Sequence, residues 1–296
     1  MRPERVIVTG GSGRLGRYVV RDLMTRARVT VLDLNPPDER VAFVEADVTH
    51  LAAVRGALAG HDSVVHLAAI DLGVPAKPEE FVRVNVMGTW NVLQAAHEAG
   101  IRKVVLTSSV AATGVGATNP NLPPLYLPVD EDHPLRPIHP YAVSKQVVEE
   151  LGASFARRGM EVLCLRPLLV MFPETAAKAA AMAKDTGARS LFYYVSPEDT
   201  ARAFRLALEA DGVPFGAFFV GAADSCTDEP TLELVRRMFG FVPEIRRPAL
   251  YARNPRASTF DTRRAREALG FEPSSDWASI RAAAPSGIAI KPGELL

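Results

Sequence analysis

Cysteine is nearly absent: Cys164 and Cys226 are the only two in 296 residues. They lie far apart and in no metal-ligand spacing, so the chain has material for neither a disulfide scaffold nor a metal site and suits a reducing cytoplasm. Long hydrophobic runs are missing as well. No stretch approaches the roughly 20 apolar residues of a membrane span. The opening Met1-Arg2-Pro3-Glu4-Arg5 leads only into Val6-Ile7-Val8 before a glycine cluster stops it, which is not the pattern of a signal peptide. Charge of one sign is not in excess either: 34 basic side chains balance 34 acidic ones, so no global basic field speaks for nucleic acid. No internal repeat is found. These absences leave a soluble, cytoplasmic protein with no metal, membrane or nucleic-acid partner.

What is present reads as an ordinary folded chain, 48% hydrophobic and 23% charged, long enough to bury a substantial core. Short β-rich runs at 5–9, 28–32, 41–45, 63–67, 103–107 and 161–165 alternate with helical patterns at 13–25, 51–59, 79–99 and 141–158. The runs are rich in Val, Ile and Leu without strict alternation, as expected of strands buried on both faces. Strand–helix alternation then implies parallel strands with right-handed crossovers, an open α/β sheet. Between Asn119 and Pro140 seven prolines fall in 22 residues around Asp130-Glu131-Asp132, which predicts a long stiffened loop rather than helix or strand. After Leu165 the alternation decays into an Ala-rich helix at 174–184, a helix at 197–210, a β-like run at 217–220 and short helical patterns at 230–239 and 262–269. The expected organisation is a dinucleotide-binding unit over 1–166 and a small interleaved cap over 167–296, with the helix and strand near 191–221 returning to the sheet. The tail from Ala282 carries little pattern.

Thr9-Gly10-Gly11-Ser12-Gly13-Arg14-Leu15-Gly16 follows the first strand and opens a helix. Glycines in that context allow a tight turn, close backbone approach to a pyrophosphate and close helix–strand packing, and the helix N-terminus offers free N–H groups to phosphate. Alone, such a turn is as often a mere connector. Asp33, ending the second strand, strengthens the reading, because a carboxylate there accepts the ribose hydroxyls of NAD and repels a 2′-phosphate. Arg14 leaves NADP open, since a basic residue in the glycine loop can meet that phosphate. Tyr141-Ala142-Val143-Ser144-Lys145 starts a helical pattern and sets tyrosine and lysine on one face. An ammonium beside the phenol is expected to lower its pKa, as a general acid/base requires. Thr107-Ser108-Ser109 puts hydroxyls at the C-terminal end of a strand, where such sheets bind ligands. The plain alternatives are a helix start with an exposed lysine and a turn-forming serine cluster.

In this order and spacing, these residues resemble the extended short-chain dehydrogenase/reductases, in their NAD-dependent epimerase/dehydratase branch. The likeness continues through Asp47-Val48, His66-Leu67-Ala68-Ala69, Asn85-Val86 with Gly88-Thr89, Leu165-Arg166-Pro167, Val195 with Asp199, and Asp261 with Leu269-Gly270-Phe271 and Pro273. The resemblance implies a doubly wound parallel sheet of Rossmann type with a small C-terminal α/β cap. It implies Tyr141 as general acid/base, Lys145 on the nicotinamide ribose and Ser109 on the reacting oxygen. It places Gly10, Gly13, Arg14, Leu15 and Gly16 near the pyrophosphate and Asp33 on the adenosine ribose. Asp47 and Val48 then border the adenine, while Leu67, Ala68, Ala69 and Asn85 line the cofactor. His66 reads as structural. A homodimer through the helices at 79–99 and 141–158 is also implied.

Nucleotide-sugar enzymes of this family carry a long, asparagine-containing insertion after the Leu-Arg-Pro segment; here only 28 residues separate Arg166 from Val195 and none is asparagine. The pruned cap argues for a small substrate and is similar to that of uronate dehydrogenases. Yet Ala111 stands where those enzymes have a histidine, Leu168-Leu169 replaces their serine, and Lys178 stands where a carboxylate-binding arginine is expected. Nine arginines fall between Arg236 and Arg266. Read functionally, Arg253 or Arg256 captures an anionic group of the substrate; read plainly, the run is a solvated helix and loop face. The leading expectation is an NAD-dependent dehydrogenase/reductase of a small hydroxyl or carbonyl compound, with a sugar or sugar acid in view. A nucleotide-sugar epimerase or dehydratase, and a non-catalytic NAD(P)-binding regulator, are the alternatives.

Overall fold

The computed structural model describes residues 3–116, 118, 119, 121–182 and 191–283. Its strands are β1 (Arg5–Thr9), β2 (Arg28–Asp33), β3 (Ala42–Glu45), β4 (Ser63–His66), β5 (Lys103–Thr107), β6 (Tyr126–Leu127), β7 (Glu161–Pro167), β8 (Phe215–Val220) and β9 (Glu244–Ile245). Its α-helices are α1 (Arg14–Leu23), α2 (Leu51–Leu58), α3 (Pro78–Glu80), α4 (Gly88–Glu98), α5 (Pro140–Ala156), α6 (Pro173–Met182), α7 (Pro197–Glu209), α8 (Thr231–Phe239), α9 (Pro248–Arg253), α10 (Arg263–Leu269) and α11 (Trp277–Ala283). Seven strands form one sheet in the order β3-β2-β1-β4-β5-β7-β8, parallel throughout. This is the doubly wound Rossmann-type α/β architecture that the strand–helix alternation predicts.

The two faces of the sheet follow from the two-residue period of a strand. Val6, Val8, Val31, Val65, Val105 and Leu163 face one core with α1 and α7, while Ile7, Leu32, Val64, Val104 and Val162 face the other with α2, α4 and α5. Both sides are dry, which is why these strands lack polar alternation. Strand order reverses between β1 and β4, where Thr9 stands in register with His66. The crevice at this switch point, outside the C-terminal strand ends, is where open α/β sheets bind ligands.

Two elements differ from the sequence expectation. The helix expected at 79–99 is a continuous path of α3, a π-helical stretch Phe81–Met87 and α4. A π turn accommodates an extra residue and re-aims side chains, which a 3.6-residue apolar pattern does not disclose. The proline-rich loop, expected to hold no strand, contributes β6, which pairs in parallel with β9 of the cap. Val129 adds a bridge to Phe260, and Arg246 stacks 3.2 Å above the Tyr126 ring. The loop is thus a strap between sheet and cap. Lys184 and the tail from 284 lie outside the described residues.

Candidate active site

At the switch point the glycine turn is fixed by contact as much as by conformation. Gly10 has φ of +72°, and a Cβ there would lie 2.5 Å from the Ala68 nitrogen. A Cβ on Gly16 would lie 2.2 Å from the Gly10 carbonyl oxygen, so α1 can pack this closely only on glycine. Gly13 is different: a Cβ there would meet only the Gly10 oxygen, at 3.2 Å. That side of the turn is open, and Gly13 starts α1 with no side-chain cap and no acid in its first turn. The N-terminal amides around Arg14 and Leu15 thus have the room and polarity that a pyrophosphate requires.

Asp33, half-buried at the end of β2, accepts from the Ser12 amide at 3.0 Å and from the Leu34 amide at 2.7 Å. It ties the glycine turn to the second strand and presents its carboxylate at the edge of the crevice. Arg14 does not join it: the guanidinium pairs with Glu174 at 2.6 Å and lies 4.2 Å from the Phe172 ring centroid. Both side chains of that pair are exposed.

Leu67 and Ala68 are half-buried and Ala69 is exposed at the mouth of the crevice. Below them His66 sits in a closed hydrogen-bond chain. The Thr89 hydroxyl donates to the Asn85 carbonyl at 2.6 Å, so His66 Nε2 must donate to Thr89, at 3.0 Å. His66 Nδ1 is then the acceptor of the Thr9 hydroxyl at 2.6 Å. Burial, reinforced by the Lys145 charge, holds the imidazole down at a pKa of about 3. It is a neutral pin between β1, β4 and α4.

Asp47 and Val48 bound the crevice on the β3 side, where Asp47 accepts from the Thr49 amide at 2.8 Å. Val48 is buried beneath Gly88, whose absent Cβ would come within 2.8 Å of a Val48 methyl, and its carbonyl accepts from Asn91. Asn85, expected from sequence to line the cofactor, is buried, with Oδ1 accepting from the Ile70 amide at 2.8 Å. Its Nδ2 donates to the Ile70 carbonyl at 3.1 Å and to Ser144 Oγ at 3.0 Å. With both amide ends engaged, Asn85 clamps the loop after β4 to the helix that carries Tyr141.

Tyr141 and Lys145 lie one turn apart on α5, 7% and 3% exposed. Proline at the first helical position and His139 accepting from the Tyr141 amide define the start of that helix. Ser109 caps a short 3₁₀ turn, its Oγ accepting from the Ala111 amide at 3.1 Å. Tyr141 packs against Ala111 of that turn and against Phe81, and Ser109 and Asp71 are near enough to act on its hydroxyl in opposite senses. Lys145 Nζ donates to the Thr107 carbonyl at 2.9 Å and lies 5.6 Å from the tyrosine ring centroid.

Electrostatics here overturn one expectation. The phenol is not lowered: burial, then the Asp71 carboxylate, push it well above its ordinary value, with Ser109 pulling the other way. Burial also lowers Lys145 to about 8, against the attraction of Asp71 and Glu149. Lysine sits near the ring but is directed to a backbone carbonyl. Tyr141 is therefore held as a neutral phenol in the free protein.

Beneath the site is a buried ion pair that sequence reading did not single out. Arg166 donates through Nε and Nη2 to both oxygens of Glu149, each at 2.7 Å, and Ser108 Oγ donates to the same carboxylate at 2.5 Å. Glu149 is one turn beyond Lys145, and Ser108 adjoins Ser109. The pair thus locks the two strand ends β5 and β7 to the tyrosine helix. Its only sequence signal is a glutamate four residues after the lysine and an arginine in a strand that is otherwise apolar.

The tentative substrate residues fare unevenly. Ala111 packs with Phe81, Tyr141 and Ala142, directly beside the tyrosine. The Lys178 side chain lies outside the described residues. Arg253 is exposed and donates to the Ala249 carbonyl of its own helix, and Arg256 donates to the Thr227 carbonyl near Asp228. Arg236, Arg237, Arg246, Arg247, Arg263 and Arg264 are likewise paired with carboxylates. Seven of the nine arginines of the run thus lie beside carboxylates. Among the described residues no group of three or more His, Cys, Asp or Glu could hold a metal ion, and no helix is long and apolar enough to cross a membrane.

Comparison with known proteins places this geometry. A UDP-glucose 4-epimerase of Lactobacillus helveticus is 34% identical over 161 residues, covering 50% of this chain and 46% of that protein. The chain spans about half the length of the curated relatives it matches first. A short-chain dehydrogenase/reductase superfamily protein from Agrobacterium tumefaciens, solved with bound NAD, superposes with a TM-score of 0.74 at 26% identity over 95% of this chain and 96% of that one. Uronate dehydrogenase from the same organism shares the fold, with a TM-score of 0.67 at 22% identity over 98% and 92% of the two chains. The family model for the NAD dependent epimerase/dehydratase family matches residues 6–221. With its glycine turn, Asp33 and the tyrosine–lysine helix on one switch point, the chain belongs to the NAD dependent epimerase/dehydratase family of extended short-chain dehydrogenase/reductases.

Proposed function

We propose that the protein is an NAD-dependent dehydrogenase/reductase acting on a small hydroxyl or carbonyl compound, with Ser109, Tyr141 and Lys145 as its catalytic residues. The observation that carries this reading is that buried Tyr141 and Lys145 stand one turn apart on α5, with the turn that Ser109 caps packed against the tyrosine through Ala111. NAD, when bound, accepts or returns the hydride. The chain's own groups handle the proton. In reduction, Tyr141 gives its proton to the carbonyl oxygen while Ser109 donates a hydrogen bond to that oxygen; in oxidation, the tyrosine takes the proton back. Lys145 supplies positive charge beside the phenol and a donor for the nicotinamide ribose.

NAD is favoured over NADP because the Asp33 carboxylate repels a 2′-phosphate. The short cap favours a small substrate: only 28 residues lie between Arg166 and Val195. An epimerase or dehydratase of a nucleotide sugar is the competing reading, supported by epimerase relatives. The two separate in one assay. With NAD and a panel of sugars, polyols and sugar acids, a dehydrogenase accumulates reduced nicotinamide; an epimerase converts its substrate with no net absorbance change. Tyr141→Phe should lower turnover by at least 10²-fold while leaving NAD binding within about twofold, in line with the weight of a general acid/base. Full activity in Tyr141→Phe would refute the assignment, and NAD binding without any turnover would favour a cofactor-sensing regulator. A homodimer through the π-helical stretch and α5, whose Val82, Met87 and Val143 are exposed, is part of the same proposal and is read by sedimentation.

A further inference from the structure

Outside the catalytic set, Arg136 stands where three parts of the site meet. Its amide donates at 3.1 Å to the carbonyl of Thr113, the last residue of the short 3₁₀ turn that Ser109 caps. Its own carbonyl lies against Gly114, which ends that turn at a φ of +74°; a Cβ on Gly114 would come within 2.2 Å of the Arg136 carbonyl oxygen. Turn and strap meet this closely only because position 114 is glycine. Four residues link Arg136 to Tyr141, and two of them, Pro137 and Pro140, have a fixed φ. His139 closes the link by accepting from the Tyr141 amide at 3.1 Å. A shift at Arg136 therefore reaches both Ser109 and Tyr141.

The guanidinium holds this point to the other limb of the strap. Nη2 donates to the Pro123 carbonyl at 3.1 Å, three residues before β6, whose pairing with β9 ties the strap to the cap. Nε is buried with no acceptor, as is one nitrogen each of Arg166 and Arg202, but those two hold Glu149 and Asp199. Arg136 forms no ion pair among the described residues. A half-buried charge directed to a single carbonyl is a poor stabiliser, because desolvation offsets most of the gain from the bond. What the contact does supply is a fixed distance between the two limbs, and with it a fixed place for the Ser109 turn. We propose that Arg136 is a positioning residue, which sets the Ser109 turn against Tyr141 through its hold on the Pro123 carbonyl. The inference rests on the reading of Ser109 and Tyr141 as the groups that handle the proton. A misplacement of about 1 Å between such groups costs on the order of a hundredfold in rate.

The test compares the wild-type protein with Arg136→Met and Arg136→Lys. Methionine keeps the length and removes the donors, whereas lysine restores a donor to Pro123. With NAD and the sugar, polyol or sugar acid that the wild-type protein oxidises fastest, Arg136→Met is expected to lower kcat by about tenfold to a hundredfold. KM and the NAD dissociation constant should stay within about twofold, and the melting temperature within about 3 °C. Arg136→Lys is expected to bring kcat back to within about fivefold of wild type. Without substrate, hydrogen exchange of the NAD-loaded protein reads the turn itself through the amides of Ala111, Ala112 and Gly114, which are bonded within it. These should exchange at least about tenfold faster in Arg136→Met, with the β1 amides unchanged. An unchanged kcat, an effect on KM alone, unchanged exchange, or equal losses in the two variants overturns the assignment. So does an Arg136→Met protein that fails to fold or melts more than about 5 °C lower, since a structural role alone accounts for that. If the wild-type protein oxidises no member of the panel, the dehydrogenase reading fails instead, and hydrogen exchange decides for or against Arg136.

Discussion

Replacing Glu149 by glutamine tests whether the buried ion pair under the site supports it. Glu149 and Arg166 have side chains 8% and 4% exposed, and both guanidinium bonds are 2.7 Å. Glutamine retains the shape but removes the charge and returns one acceptor. Arg166 is then left with a desolvated charge, its Nη1 already without a hydrogen-bond partner and its plane over Phe219 at 5.3 Å. Breaking a buried pair from one side costs about 3–5 kcal/mol. At about 2–4 °C per kcal/mol for a chain of this size, the melting temperature should fall by about 6–20 °C. Glu131 also acts on Arg166 and titrates at about 7, so the loss should be larger at pH 6, where Glu131 is protonated, than at pH 8. Calorimetry at the two pH values reads both effects. The double replacement Glu149→Leu with Arg166→Met should recover most of the stability, since an apolar pair of similar volume avoids the desolvation cost. It should not recover turnover, because Ser108 and the tyrosine helix lose their common anchor. A loss below about 1 kcal/mol at both pH values, or a double variant no better than the single one, would refute this account of the pair.

Two further predictions concern the crevice and the strap. Asp33→Ala should weaken NAD by about tenfold to a hundredfold, the loss of one or two charge-assisted hydrogen bonds, and shift the relative preference toward NADP; unchanged affinities by calorimetric titration would remove Asp33 from the ribose site. Glu131 is raised to about 7 chiefly by burial, against the Phe219 amide at 2.8 Å and the Arg264 charge. Because the folded chain holds this proton to higher pH than the unfolded chain does, the contribution of Glu131 to stability is full below about pH 4.5 and is lost as pH rises through about 7. Glu131→Gln should therefore leave the melting temperature near that of wild type at pH 5 and raise it at pH 8, by the equivalent of about 1–3 kcal/mol. A variant with the same pH slope as wild type would show that Glu131 does not titrate in this range.

The sheet was legible because its strands are local and dry. β1 and β5 begin and end where their apolar runs do, at Arg5–Thr9 and Lys103–Thr107. The glycine turn and the tyrosine–lysine turn were legible because each is a short motif with one geometry. What escaped depends on partners remote in sequence. β6 and β9 have two residues each, too few for a period, and exist only because the strap meets the cap. Asn85 was visible as a residue but not as a clamp, since a π-helical stretch turns it toward Ile70. Arg166 was seen as part of a motif, yet its partner Glu149 is on another element and becomes its partner only when β7 packs beside α5.

The protonation state of Tyr141 could not be read from the Tyr-x-x-x-Lys spacing. Spacing places an ammonium near the ring and predicts a lowered phenol. The fold buries the hydroxyl and directs the ammonium to the Thr107 carbonyl, and burial above all pushes the phenol above its ordinary value. A phenol so raised stays protonated in the free protein, so taking a proton from an alcohol requires that it first ionise. Oxidation should therefore gain with rising pH while reduction does not, which pH profiles of kcat in the two directions read; equal slopes would refute the reasoning.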